Sequence, residues 1–350
     1  MQGRYFLVSL VLVVFFCLLY LFKPFLLTIA IAILMAVATA NLHHKLFLKF
    51  QKKYAAPIIL TLLMSLLFFA PLMYASFSLA GFIKNFDITL IESTIIKLRE
   101  NKIDLPEKLA FIEPNIKETL SQIDLNNLGK NILNYASNFT KSGAKFITEL
   151  ILIIIFYFFA NYYGAELVGF LKRLLPLKKS DFENVLSEVS NVMSVVFYSV
   201  ILTAVFEGIL FAICLINFGY DGLLMGILYA IASLIPLIGG ALLWLPISLY
   251  EYSQGNSISA IIIALYTVII ISGVADTLVK PLIIKWINEK FLKSPAKVNE
   301  LLIFFAMIAG ISTFGFWGVI LGPAILALFL SVVKLYILVT ETDKSNNKDI

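Results

Sequence analysis

Charge, histidine and cysteine are all scarce in this chain. Only 14% of its 350 residues are Asp, Glu, Lys or Arg, where soluble domains have about 25%, while 60% are hydrophobic and mean hydropathy is +0.94. So little charge cannot solvate a soluble surface, which makes the chain a polytopic membrane protein. Its two histidines, His43 and His44, are adjacent in a basic stretch with no Cys, Asp or Glu nearby, so no metal site is expected there. Cys17 and Cys214 both lie inside apolar runs and offer neither a disulfide framework nor metal spacing. They read as small apolar core residues.

Missing motifs exclude further mechanisms. No Gly-x-x-x-x-Gly-Lys-[Ser/Thr] phosphate loop is present, which leaves ATP-driven transport without a nucleotide site. There is no His-Glu-x-x-His, and with both histidines in one loop no Ser–His pair can form inside the membrane. Tyr220-Asp221 could supply half of an intramembrane aspartyl protease pair, but the second half, Gly-x-Gly-Asp, is missing. An enzyme is therefore not expected, nor a cofactor. The net charge of +5 comes without a long basic patch or a nucleic-acid motif, so no nucleic-acid partner is expected either.

What is present is apolar sequence in long continuous runs, without the alternation over about ten residues that a barrel would show. The expected fold is all-α, a polytopic helical membrane protein of about eight membrane segments with two Gly/Pro-broken hairpins in its C-terminal half. Residues 1–83 hold three spans. The first two, meeting at Lys23-Pro24 with no cleavage site, read as a retained helical hairpin. His43 to Lys53 is basic and therefore cytoplasmic by the positive-inside rule, which puts the N-terminus in the cytoplasm.

Residues 84–143 are mixed in charge, with Ile88, Ile91, Ile95 and Leu98 at helical spacing, then Leu109, Ile112 and Ile116, and Pro106 and Pro114 as punctuation. This is an extracytoplasmic amphipathic segment, either a small solvated domain or an oligomer contact or exit cover. A fourth span follows at 144–165. The cytoplasmic division at 166–191 carries an amphipathic helix expected to start at a Ser180-to-Glu183 capping box. Residues 192–340 form the core, and 341–350 a cytoplasmic tail.

Three features of the core carry chemistry. Glu207 lies at the middle of an apolar run, where a lipid-facing carboxyl costs at least about 2.5 kcal/mol. It should face the bundle interior or a cavity, as a coupling or gating carboxylate or as a protonated side chain hydrogen-bonded for packing. Between Gly219 and Tyr250, Pro236, Gly239 and Gly240 interrupt the helix; proline removes a donor and each glycine costs roughly 1 kcal/mol. A single crossing here would place Lys280, Lys285, Lys290, Lys293 and Lys297 outside, so the stretch should turn back as a hairpin. Gly315, Gly318 and Gly322-Pro323 repeat the design. Between the breaks, Asp276 and Lys280 are four apart and share a helical face, with Pro281 beside them, as an interfacial anchor or a functional pair.

On these residues the chain resembles the autoinducer-2 exporter family, a group of bacterial permease-like membrane proteins. The resemblance rests on Ile235-Pro236-Leu237-Ile238-Gly239, on Asp276 with Pro281, and on Gly315, Gly318 and Pro323, while the order of elements fits along nearly the whole chain. It departs at Gly240, where the family has proline, and at Leu237, where the family has an aromatic. The resemblance implies an inner-membrane exporter of a small polar metabolite or signalling molecule, assembled as a homo-oligomer, with pentamers expected. Members have also been assigned sodium or lithium/proton antiport, so a monovalent cation is the alternative substrate.

The expected mechanism is secondary transport by alternating access around a mid-membrane site of freed backbone groups. Its pathway residues would be Glu207, Pro236, Gly239, Gly240, Asp276, Lys280, Pro281, Gly315, Gly318 and Pro323. Antiport would lean on Glu207 and Asp276, small-molecule export on the two breaks. A scaffold protein would need neither breaks nor a buried carboxylate.

Overall fold

The computed structural model describes residues 2–84, 125–174, 179–236, 238–291 and 299–346, and among them every regular element is helical. Ile88, Ile91, Ile95, Leu98, Pro106, Leu109, Ile112, Pro114 and Ile116 lie outside the described residues. Among the described residues, five helices are long and apolar enough to cross a bilayer, six if the first two, bent by 62°, are counted as one broken span. About eight segments are compatible with this set.

Helix α1 (Gln2–Leu21) meets α2 (Leu26–Ala38) through one turn of 3-10 helix at Lys23–Phe25. A hairpin is expected there, and the structure instead shows a 62° elbow. The reason is local: Pro24 sits in the first turn, where its missing N–H is no loss, and Phe22 and Phe25 keep negative φ and ψ near zero. Nothing in that geometry reverses the chain.

Helix α2 stops at Thr39, before the short α3 (Ala40–Phe50). Its last carbonyls are taken up by side chains. Ser190 donates to Val37 O at 2.9 Å and Ser194 to Ala38 O at 2.6 Å, while the Thr39 hydroxyl donates to Met35 O at 2.8 Å. Gln51, at φ +55°, caps α3.

Helix α4 (Ala55–Lys84) is followed by α5 (Leu125–Leu174), fifty residues without a break. The expected divisions at residues 143 and 165 fall inside α5. Helix α6 (Lys179–Ile216) is likewise continuous from its polar start into its apolar run. Glu183, expected to reach back to Ser180, accepts from Lys172 Nζ at 2.7 Å; the Ser180 side chain is outside the described residues.

One core gathers α2, α4, α5, α6 and the C-terminal hairpin around Met35, Leu60, Tyr157, Met193 and Trp317. A second joins α4 and α6 to the segments that follow, around Phe211, Leu215, Tyr229, Ile263 and Ile271.

After the turn at residues 217–221 come α7 (Gly222–Ser233) and α8 (Ala241–Ser253). The two are a hairpin: Tyr220, before α7, hydrogen-bonds Glu251, near the end of α8, at 2.6 Å. Laid end to end, helices of this length would separate those residues by roughly 35 Å. Helix α9 (Ser257–Leu265) continues through a wider, π-wound segment at Tyr266–Val279 into α10 (Lys280–Phe291). The amide of Lys280 bonds Ala275 O, five residues back.

Helix α11 (Glu300–Phe314), one 3-10 turn at Gly315–Trp317 and α12 (Gly318–Asn346) form the second hairpin. Gly315 makes the reversal at φ +63°, ψ −147°, a conformation essentially confined to glycine.

Small residues seal both foldbacks. A Cβ on Gly208 of α6 would sit 2.5 Å from Gly226 O of α7, and one on Gly226 would sit 2.8 Å from Gly208 O. In the second hairpin Gly318 lies against Gly310, and Gly322 against Ala306. Both seams use the small-xxx-small spacing that lets helix backbones touch in lipid, where hydrophobic burial gives no drive. Replacing Gly226 with Leu should therefore destabilise the detergent-solubilised protein by at least about 1–3 kcal/mol, read as a lower thermal midpoint. Gly273→Ala, whose added methyl would meet only Val268 O at 3.8 Å, should leave that midpoint unchanged.

Candidate functional site

Between the two hairpins lies a cavity of about 580 Å³. One wall is α6, which presents Val192, Val196, Ser199, Val200, Thr203 and Glu207. Ser199, Thr203 and Glu207 recur at intervals of four, so they form one polar stripe along a helix face. The stripe sits back to back with the serines that hold α2. Opposite stand the tip of the first hairpin, the π-wound segment with Val268 and Ser272, the start of α10 with Lys280, and α11 with Ile303, Phe304 and Met307.

Glu207 is only 8% exposed and Thr203 7%. The Thr203 hydroxyl oxygen is fully buried with no hydrogen-bond partner. Buried hydroxyls are normally satisfied, and this one is an exception beside the cavity. Tyr229 and Trp244 add aromatic faces, and Ser233 another hydroxyl.

The break at the hairpin tip spans residues 234–240. Among the described residues, three of its amides are rebonded inside the turn: Ile235 N to Ala232 O at 2.9 Å, Ile238 N to Pro236 O at 2.9 Å, and Gly239 N to Ile235 O at 3.0 Å. These three amides are therefore not open donors. A Cβ at Gly239 would collide with the carbonyls of Ala232 and Ile235, and one at Gly240 would lie 2.5 Å from the Tyr229 hydroxyl. Both glycines are required by close approach.

The foot of this hairpin is held by a polar clasp. The Glu251 carboxylate, 7% exposed, accepts from Tyr220 at 2.6 Å and from Asn256 Nδ2 at 3.0 Å. Asp221 caps α7 by accepting from Leu224 N at 3.0 Å, and its other oxygen accepts from Tyr74 of α4 at 3.0 Å. Burial, reinforced by its hydrogen bond to the Glu251 carboxylate, pushes the Tyr220 phenol well above its usual range.

Of the residues expected to form the pathway, the structure brings Glu207, Pro236, Gly240 and Lys280 together around the cavity. Gly239 is buried just behind the turn. Asp276 is in the π-wound segment one turn before Lys280, and its side chain is outside the described residues. Pro281 is exposed beside Lys280. Gly315, Gly318 and Pro323 do not line the cavity. The Gly315 turn docks instead on α5, where Trp317 Nε1 donates to Glu149 at 2.9 Å and its ring stacks on Phe146 with centroids 5.2 Å apart. Sequence reasoning passed over Ser199, Thr203, Ser233, Ser272 and Glu251. The four-residue spacing that leads from Glu207 back to Thr203 and Ser199 was a usable signal for two of them.

A family profile described as AI-2E family transporter matches residues 10–338. Candidate transport proteins of two Helicobacter pylori strains are 34% and 32% identical over 336 residues, with 96% of each chain covered. A candidate transport protein of Treponema pallidum is 27% identical over 331 residues, covering 82% of this chain and 72% of that one.

The clasp yields a direct expectation. Tyr220→Phe and Glu251→Gln should each cost about 1 kcal/mol or more of local stability. Hydrogen exchange should read this as several-fold faster opening of residues 241–253 with little change in α5; uniform exchange in both would show the clasp to be inert.

Proposed function

The chain belongs to the AI-2E transporter family, and from that premise we propose that it exports a small organic solute by alternating access around the cavity beside Glu207. The observation that carries this reading is the position of that cavity. It lies between two glycine-sealed hairpins, at the broken tip of one and the flank of the other, where secondary transporters hold their substrates. Its volume falls within the range of small-molecule sites, about 300–1,000 Å³.

The solute is organic and not a bare cation. A monovalent cation needs a tight shell of oxygens, whereas most of this lining is valine, isoleucine, leucine, methionine and aromatic carbon, with Lys280 adding a like charge. Antiport of sodium or lithium against protons is the second reading, favoured by one observation, the buried carboxyl of Glu207 in a membrane helix. A small signalling molecule of the autoinducer-2 kind is one member of the organic class.

Under this reading the lysine-bearing ends face the cytoplasm, with both termini, and the membrane is the bacterial inner membrane. The described side chains of α1 are almost all exposed and apolar, which suits contact with lipid and with further copies in a homo-oligomer, a pentamer by family resemblance.

Vesicles carrying the purified protein, loaded with a bacterial metabolite extract, provide the test. One or more small organic solutes should leave them faster than protein-free vesicles, as followed by mass spectrometry of the lumen, and a sodium gradient should drive no pH change. A sodium-driven pH change with no solute loss would establish antiport instead. Gly239→Ala, which drives a methyl into two backbone carbonyls, should insert normally and lose most of the efflux.

A further inference from the structure

We infer that helix α3 and the turn after it form a headgroup site for an anionic phospholipid of the surrounding bilayer. The inference needs only that the chain spans a membrane, and it holds whatever solute the cavity takes.

The level of α3 in the bilayer follows from its ties to α5. At its start, the Thr39 hydroxyl lies 2.8 Å from that of Tyr157. Beyond its end, Lys53 Nζ lies 2.6 Å from Glu166 Oε1, and 4.9 Å and 6.0 Å from the ring centroids of Tyr162 and Tyr163. Glu166 is about 13 Å further along α5 than Tyr157. The apolar span of α4 begins at Ala55, and that of α5 runs to Phe170. Helix α3 thus descends to the border of the hydrocarbon, the level of tyrosines and headgroups.

Its charge is of one sign. His43 to Tyr54 carries four lysines and two histidines without a single carboxylate. Glu166 answers Lys53, and Lys45 Nζ donates to Lys290 O of α10 at 2.7 Å. The end of α10 held there adds Lys285 and Lys290 against one carboxylate, Glu289. Lys49 and Lys52 have no carboxylate within ion-pair reach among the described residues. Lys172, near the end of α5, is by contrast already paired with Glu183 at 2.7 Å.

The same helix exposes carbon. Leu42 and Leu46 pack onto the core, while Phe47, Leu48 and Phe50 are exposed among the lysines. Ammonium groups beside exposed carbon suit a molecule that is anionic at one end and apolar at the other. A basic amphipathic helix next to a span is where phospholipids of net negative charge collect. A zwitterionic lipid carries the same phosphate, but its own ammonium meets these lysines as a like charge. A second copy offering the same face would set lysine against lysine.

Native mass spectrometry of the full chain in detergent, titrated with dioleoylphosphatidylglycerol or dioleoylphosphatidylcholine, reads the affinity for each lipid. Phosphatidylglycerol should bind at least about tenfold more tightly. Lys49→Gln combined with Lys52→Gln should bring the two lipids to within about twofold of each other. Lys49→Arg with Lys52→Arg, which keeps both charges, should keep the preference. So should Lys145→Gln, toward the other end of the α5 span. Equal binding of the two lipids, a preference that survives the double glutamine variant, or one lost as readily in the arginine pair or in Lys145→Gln would overturn the inference. Tighter binding of poly-glutamate than of phosphatidylglycerol would assign the face to an acidic protein and overturn it as well.

Discussion

Within hydrocarbon, no backbone N–H or C=O can be left to solvent, and this constraint governs every irregular point in the chain. The helix stops at Thr39, at the knot of residues 234–240 and at Gly315. At the first, Ser190 and Ser194 reach across from α6 to the freed carbonyls. At the second, the amides of Ile235, Ile238 and Gly239 close on nearby carbonyls. The third is a tight turn pinned to α5 by the Trp317–Glu149 hydrogen bond. A membrane protein that breaks its helices must cover each break with protein, and the packing of this fold follows from where those covers lie.

The same constraint explains why α6 is the central helix. One face supplies serines to α2 and, five turns beyond Ser190, Gly208 to the seam with α7, while the opposite side lines the cavity with Ser199, Thr203 and Glu207. Each contact is specified by a different residue type. Serine is small enough to reach a neighbouring backbone, glycine lets backbones touch, and the stripe ending in glutamate keeps polar atoms off the lipid.

Much of this was legible in the sequence. The all-α membrane class follows from scarce charge and long runs, and the two hairpins from Pro236, Gly239 and Gly315. Lysine counting required the chain to turn at Pro236, and the Tyr220–Glu251 hydrogen bond shows that it does. The elbow at Pro24 was not legible, because a proline after a lysine marks a break without fixing its angle. Nor was the role of Gly318: a glycine beside a turn reads as turn-forming, while its use here is contact with Gly310, a property of two helices together. Glu251 was hidden for a related reason. At the edge of an apolar run it looks like a solvated end, and only the folded hairpin brings Tyr220 and Asn256 to it.

Under the proposed transport reading, sealing and recognition fall to different residues. The hairpins contribute glycine seams and apolar wall, and three amides of the first break are bonded within it. The charged groups come from two long continuous elements, Glu207 from α6 and Lys280 where the π-wound segment enters α10. A charge on a helix held by neighbours on several sides keeps its position as a hairpin shifts, whereas a charge on a hairpin tip would travel with it. In the alternating-access cycle proposed above, that division would let the hairpin move while Glu207 and Lys280 stay at fixed depth, so that a solute released from one face is not held by the part that opened.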